Sequence, residues 1–401
     1  MGLIIGFTGA FGSGCSTIID RFLVEQREYV KFSLSAILKQ KFQEEYDREP
    51  YDREELQNYG NAFREFDPEY LANIAIESIE KIMNQPNVNV AVDSIRNPLE
   101  INAFRRKYPN FLLFAVFADY ETRWGRVKNS YNGSKDAFDR DDFRDQGNNE
   151  PAYGQNVTDC FFEADLILSN NQTINFSSHN QAWNDMDKRI NNYLQAFDEP
   201  TASEPLIKES LMAIAYAIGR RSKCLRRRVG AIIVDKNHNI LSSGFNAVPG
   251  SLEDCQQLYG ECYRHVYKKR LKDTITNDIR NKTPEDTAWG SIFAETFALD
   301  ITNRIKALEL CRALHAEESA ILNLVGTAGQ VNFSDCTLYA STFPCNLCAN
   351  KIAQLGIGRV VYFEPYPVQE AKEIFDAAKI KTEPFEGITF RAFFRAFNYA
   401  P

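Results

Sequence analysis

No stretch of this 401-residue sequence approaches 18 uninterrupted apolar residues, which excludes an ordinary membrane-spanning helix. The opening residues, MGLIIGFTGAFGSG, lack the basic n-region and the cleavage site of a secretory signal, so a cytoplasmic protein with no membrane partner is expected. A disulfide framework is also missing. The nine cysteines are odd in number and scattered over a chain too long to need covalent staples, so they are expected to be reduced, and either metal-bound or buried. There is no internal repeat and no low-complexity tract. The first half lacks positive charge: residues 1–200 hold 32 acidic against 21 basic side chains, and the remainder holds 22 against 25. The formal net charge of −8 therefore arises in the first half, which disfavours that half as a broad nucleic-acid binder.

A chain that is 44% hydrophobic and 25% charged, at this length, can fill two cores. The stretch FDEPTASEPLIKES, with two prolines between two amphipathic patterns, predicts a linker at about 198–206. The expected domains are 1–198 and 206–401.

The first domain opens with an apolar strand, Leu3 to Phe7, a Gly-rich turn, and a helix with apolar positions at helical spacing from Ile18 to Leu23. Gly9, Gly14 and Ser16 match the phosphate-binding spacing G-x-x-x-x-G-K-[ST], but Cys15 stands where the lysine belongs. Backbone N–H groups around Gly12, Ser13, Gly14, Cys15, Ser16 and Thr17 are the candidate phosphate cradle. Without the lysine, nucleotide binding or sensing is expected rather than phosphoryl transfer, the other alternative being a purely structural turn. Two further strands, ending at Asp93 and Asp119, alternate with helices and predict a parallel sheet. Arg123 and Arg126 follow the third strand, on a phosphate or on a solvated helix face, and FDRDDFRDQ is a candidate lid. This half resembles the nucleoside-monophosphate-kinase-like P-loop proteins.

In the second half His315 and Glu317 stand two positions apart at the start of a helical run. They are followed after 26 residues by Pro344, Cys345 and Cys348. Two cysteines at i and i+3 on the first turn of a helix direct both thiolates at one metal, and His315 supplies a third ligand. Three protein ligands on zinc leave a fourth position for a water whose pKa the metal lowers. Glu317, next to the ligands but not one of them, is the expected proton shuttle, taking a proton from water and delivering it to a ring nitrogen and a leaving amine. The H-A-E and P-C-x-x-C combination is the zinc-deaminase signature. A closed zinc site, with Glu317 merely exposed, would need a fourth protein ligand.

Residues 226–250 predict two strands about the turn KNHN, followed by Gly244, Asn246 and Pro249. With the two metal-ligand helices in this order, residues 206–370 resemble the deoxycytidylate deaminases. The resemblance implies a cytidine-deaminase-like α/β/α domain, one catalytic zinc and a deoxycytidine nucleotide substrate. It assigns Asn246 to a sugar hydroxyl, the backbone near Ser341 and Thr342 to the exocyclic amine, and Glu364 and Tyr366 to the pocket or an interface. For Asn246 the alternative is a simple turn residue. Six of the nine residues Arg220 to Arg228 are basic, and Arg228 beside the strand is the candidate for substrate phosphate. Cys255, Cys262 and His265, with Cys311 or Cys224, form a candidate second, structural zinc set, as some members of the family hold. Cys160 and Cys336 are expected to pack as small apolar residues.

The order of the two halves resembles the bacterial antiphage dCTP/dCMP deaminases. That resemblance implies depletion of dCTP during infection, a restraining P-loop domain with a regulatory nucleotide, an inhibitory small RNA and a homo-oligomer. The alternatives are a polynucleotide-editing deaminase, for which CYRHVYKKRLKD is the only candidate channel, and a housekeeping dCMP deaminase with an inactive kinase-like domain.

Overall fold

A computed structural model describes residues 2–84, 87–147, 150–172, 180–201, 203–250, 252–282, 288–305, 307–325, 331–363 and 369–398. Among them are eleven strands: β1 (Ile4–Thr8), β2 (Val30–Ser33), β3 (Val90–Asp93), β4 (Leu112–Phe117), β5 (Leu166–Ser169), β6 (Gly230–Val234), β7 (Ile240–Phe245), β8 (Thr337–Ala340), β9 (Arg359–Tyr362), β10 (Lys381–Pro384) and β11 (Gly387–Ile388). The chain forms two compact units, both mixed α/β: Met1–Glu209 with Glu386–Pro401, and Ser210–Phe385. No helix among the described residues is long and apolar enough to cross a membrane.

The first unit is built on a sheet of order β11-β5-β4-β1-β3-β2. Strands β2 to β5 are parallel, with Ile5 opposite both Ala91 and Leu112. Every residue of β1, β3 and β4 is buried, which is why they read as continuous apolar runs: helices cover both faces of such a sheet. Phe7, Phe22, Phe114, Met186 and Ile190 fill one side of that core. The helix expected after the Gly-rich turn is present as a short α turn, Cys15–Ile18, a wider π segment, Ile19–Val24, and a last turn, Glu25–Arg27.

Two expectations are corrected here. The second domain does not run to residue 401, because the chain beyond Phe385 returns to the first sheet. There β11 pairs antiparallel with β5, and Thr389 donates from its hydroxyl to the Ala164 carbonyl at 2.7 Å and from its N–H to the Asp165 carbonyl at 2.9 Å. A two-residue strand has no periodicity to detect. The stretch expected to be a lid is instead the helix Lys135–Asp145, whose Asp142 and Asp145 are buried in ion pairs. Asp142 takes Arg123 at 2.5 Å, so Arg123 is buried too, not on a solvated face.

The second unit carries a sheet of order β10-β9-β8-β6-β7. β6 is antiparallel to β7 and β8, while β8, β9 and β10 are parallel. The predicted hairpin is β6–β7. Its turn is closed by the Asp235 carboxylate, which accepts N–H groups of Asn237 and Asn239 at 2.8 and 2.9 Å, with His238 left-handed at φ 66°. The helices Ala316–Val325 and Asn346–Leu355 pack on this sheet through Ala316, Ala320, Leu324, Ala349 and Ile352.

Candidate active site

The helix Ala316–Val325 starts immediately after His315, with Glu317 and Glu318 in its first turn, where the helix dipole favours acids. The Glu318 carboxylate accepts the His315 N–H at 3.4 Å and pairs with Lys351 at 2.9 Å, tying this helix to the next. Against β7 the helix lies unusually close. A Cβ on Gly244 would stand 2.3 Å from the Ala320 nitrogen and 2.4 Å from the Ala316 oxygen, so only glycine fits there. Ser242 and Ser319 lock the seam, donating from their hydroxyls to the Ala320 and Phe245 carbonyls at 2.7 and 3.1 Å.

On the second helix Cys345 is the extended N-cap residue and Cys348 lies in the first turn. Both sulfurs are 3.3 Å from His315 Nδ1. The three ligand atoms lie within 4.8 Å of one another, and among the described residues no other His, Cys, Asp or Glu group of three does so. Tetrahedral zinc with ordinary Zn–S and Zn–N lengths requires sulfur-to-nitrogen edges of about 3.5 Å, so the donor set and its spacing fit that ion.

The electrostatics suit a proton shuttle beside a metal. Glu317 is only 3% exposed, and burial pushes its carboxyl above the ordinary range despite the neighbouring His315. The hydrogen bond with Cys345 pushes the His315 imidazole up. Within the cysteine pair, the hydrogen bond from Cys348 and then His315 lower the Cys345 thiol, which favours its ionised form. A thiolate is the form that binds metal.

Asn246 is buried, and its amide is partly committed: Oδ1 accepts the Val229 N–H at 2.8 Å, and Nδ2 donates to the Arg227 carbonyl at 2.9 Å, leaving one N–H. It lines a cavity of about 290 Å³. Ser341 closes the β6–β8 edge, its Oγ accepting the Gly230 N–H at 3.1 Å and its N–H donating to the Gly230 carbonyl at 3.0 Å; Thr342 beside it is also buried. Arg228 is exposed, and from the same basic run it is Arg221 and Lys223 that line the Asn246 cavity. Glu364 and Tyr366 lie outside the described residues. Cys255 and Cys262 line that cavity together with Cys224 and Cys311, whereas His265 is not among its lining residues. Of the expected set, the structure brings both alternatives for the fourth position, Cys224 and Cys311, to the cavity and leaves His265 out of its lining.

In the first unit Gly12 and Gly14 are left-handed, at φ 84° and 96°, and a Cβ on Gly9 would meet the Ser13 hydroxyl at 2.5 Å. Ser16 Oγ donates to Asp93 Oδ2 at 2.6 Å, while Thr17 is exposed. Burial, then Asp93, pushes the Cys15 thiol up to about 12, so it is neutral where a lysine would carry charge. A cation the sequence had not suggested, Lys31, pairs with Asp20 at 2.8 Å and with Asp93 at 3.4 Å. Arg126 braces the turn, donating to the Gly12 and Ser13 carbonyls at 3.3 and 3.2 Å.

Residues 206–364 match the family described as the cytidine and deoxycytidylate deaminase zinc-binding region. The deoxycytidylate deaminase of Enterobacteria phage T2 is 33% identical over 159 residues, covering 39% of this chain and 79% of the relative. A solved dCMP deaminase from the cyanophage S-TIM5, in complex with dCMP and dUMP, covers 46% of this chain and 99% of its own, at 23% identity and a TM-score of 0.29. A shikimate kinase from Acinetobacter baumannii covers 49% of this chain and 94% of its own, at 11% identity and a TM-score of 0.30. With His315, Glu317, Cys345 and Cys348 gathered on two adjoining helices inside the matched region, the chain belongs to the deoxycytidylate deaminase family and is a hydrolytic deaminase.

Proposed function

We propose that this protein hydrolyses the exocyclic amine of deoxycytidine nucleotides, dCMP and dCTP, giving the deoxyuridine nucleotides and ammonia. The observation that carries the reading is the convergence of His315 Nδ1, Cys345 Sγ and Cys348 Sγ with the buried Glu317 carboxyl two positions along the chain. The phage T2 relative, a deoxycytidylate deaminase, supports dCMP as a substrate. Zinc held by the three ligands would supply Lewis-acid activation of the attacking water. Glu317, whose proton affinity burial raises, takes the first proton from water and passes it to the ring nitrogen, then takes the second from the hydroxyl added to the ring carbon and delivers it to the departing amine as the C–N bond breaks. The spare N–H of Asn246 suits a sugar hydroxyl, the backbone at Ser341 and Thr342 the exocyclic amine, and Arg228, Arg221 and Lys223 the phosphates.

The first unit is a regulatory module in this proposal, holding a nucleotide at Gly9 to Thr17; the neutral Cys15 favours sensing over phosphoryl transfer. Antiphage depletion of dCTP, an inhibitory small RNA, a homo-oligomer and a cytoplasmic location complete it. A second, structural zinc drawn from Cys255, Cys262 and His265 with Cys224 or Cys311 belongs to the same proposal, and would require these side chains to close on the ion, since no three of them lie within 4.8 Å of one another.

The test is product analysis. Zinc-quantified protein is incubated with dCMP, dCDP, dCTP, CTP, cytidine and a cytosine-containing single strand. Conversion of dCMP or dCTP with the strand untouched is expected; conversion of the strand alone overturns the reading in favour of polynucleotide editing.

A further inference from the structure

Arg221 and Lys223 are exposed and both line the Asn246 cavity, but the residue between them, Ser222, is buried at 2% exposure. A polar side chain turned inward between two exposed cations needs partners, and its hydrogen bonds name them. The Ser222 hydroxyl donates to the Asn246 carbonyl at 2.6 Å and accepts the Cys224 N–H at 3.1 Å. Its own N–H donates to the Gly219 carbonyl at 3.0 Å, at the end of the helix Ile207–Gly219. A hydroxyl has one proton to give, so this one is fixed in direction.

The far end of the same loop holds Asn246 independently. Oδ1 accepts the Val229 N–H at 2.8 Å, Nδ2 donates to the Arg227 carbonyl at 2.9 Å, and the Asn246 N–H donates to the Val229 carbonyl at 3.1 Å. Asn246 therefore keeps its seat with or without the Ser222 hydroxyl, whereas residues 221–223 are tied to it by that hydroxyl. Arg221 has a second anchor. Its guanidinium carbon lies 4.9 Å from the ring centre of Phe245, the residue before Asn246 and another wall of the cavity. Ser222 and Phe245 together set how far the cationic segment stands from the amide that has one N–H to spare.

We propose that Ser222 is a positioning residue for nucleotide recognition: it holds Arg221 and Lys223 at a set distance from Asn246, so that the 5′-phosphate is read by its separation from the sugar hydroxyl. Binding energy gathered at the phosphate then orients the ring at the reacting end, which is how a contact remote from the chemistry contributes to turnover. A nucleoside offers nothing to the two cations and forgoes that orientation. The inference rests on the reading of this cavity as the sugar and phosphate site, and adds which residue joins the two.

The experiment measures kcat/KM of the full chain, loaded with zinc, for deoxycytidine and for dCMP or dCTP, whichever it accepts. Where nucleoside turnover is too slow to time, inhibition by deoxyuridine and by the matching deoxyuridine nucleotide reads the same ratio. A loss of folded protein lowers both figures equally, so their ratio reports positioning and not stability. Ser222→Ala is expected to lower kcat/KM for the nucleotide about 10- to 100-fold and to leave deoxycytidine within about threefold. Phe245→Leu, which removes the ring under Arg221 and keeps the Ser222 hydroxyl, is expected to move the ratio in the same direction. An unchanged ratio in Ser222→Ala, whether both substrates fall equally or neither falls, overturns the proposal. Equal use of nucleoside and nucleotide by the natural chain also overturns it and leaves the deaminase reading intact. No turnover of dCMP or dCTP removes the substrate reading, and this inference with it.

Discussion

Cys348 Sγ lies 3.3 Å from His315 Nδ1, although 33 positions separate the two residues. Neither helix alone can hold a metal; the site exists only when the glycine seam at Gly244 lets the His315 helix settle on β7.

Replacing Glu317 and replacing a ligand should therefore separate chemistry from metal binding. Glu317→Ala is expected to retain stoichiometric zinc and lose about 10²- to 10⁴-fold in turnover. Cys345→Ala is expected to lose both. Metal analysis beside a deaminase assay checks this, and full activity in the Glu317 variant would remove that residue from its assigned role.

Gly244→Ala tests the seam. Because the added methyl would collide with backbone atoms of Ala316 and Ala320, not with the end of a flexible side chain, the helix must shift, at a cost of about 1–3 kcal/mol. The expected outcome is a lower melting temperature together with weaker zinc retention. Unchanged values for both would mean that the helix has freedom the packing does not suggest.

The fully buried Asp145 gives a prediction in pH. Burial alone would raise its pKa, but Arg53 and then Arg96 outweigh it and hold the carboxyl below the ordinary range. A depressed folded value contributes stability that is present above the unfolded value of about 3.9 and is lost as the pH falls through the folded one. Asp145→Asn leaves two guanidinium groups without their carboxylate, and is expected to destabilise the first unit by about 3–5 kcal/mol at pH 7. Denaturant melts between pH 3 and pH 7 should show a flatter acid limb in the variant than in the natural chain.

Removing residues 386–401 should damage the first unit rather than the second. Glu209 is buried and accepts the Ile388 N–H at 2.7 Å; without the tail that oxygen has no such donor, and β5 becomes an open edge. Proteolysis of the truncated chain is expected to begin within residues 1–209, a pattern that peptide mapping can read.

These cases show what a sequence discloses. The pattern His315, Glu317, Cys345 and Cys348 was legible because metal chemistry constrains residue type and local spacing together, and each pair sits on one helical turn. The parallel sheet was legible because strands buried on both faces must be apolar throughout. The return of Gly387 and Ile388 to β5 was not, since two residues carry no period and the pairing is fixed by distant backbone. The burial of Arg123, Asp142 and Asp145 was hidden for a related reason: a charged run looks solvated until tertiary packing supplies the opposite charge. Cys224 and Cys311 were legible only as alternatives to one another; that both line the cavity of Cys255 and Cys262 is a matter of tertiary packing.

The insertion of residues 210–385 between the two parts of the first unit bears on how the protein is made. During synthesis the edge of the first sheet stays open until the whole deaminase unit has left the ribosome, because β11 is translated after it. A chain that ends inside the catalytic unit therefore also leaves the amino-terminal sheet unfinished, with the β5 edge open to pairing with other strands.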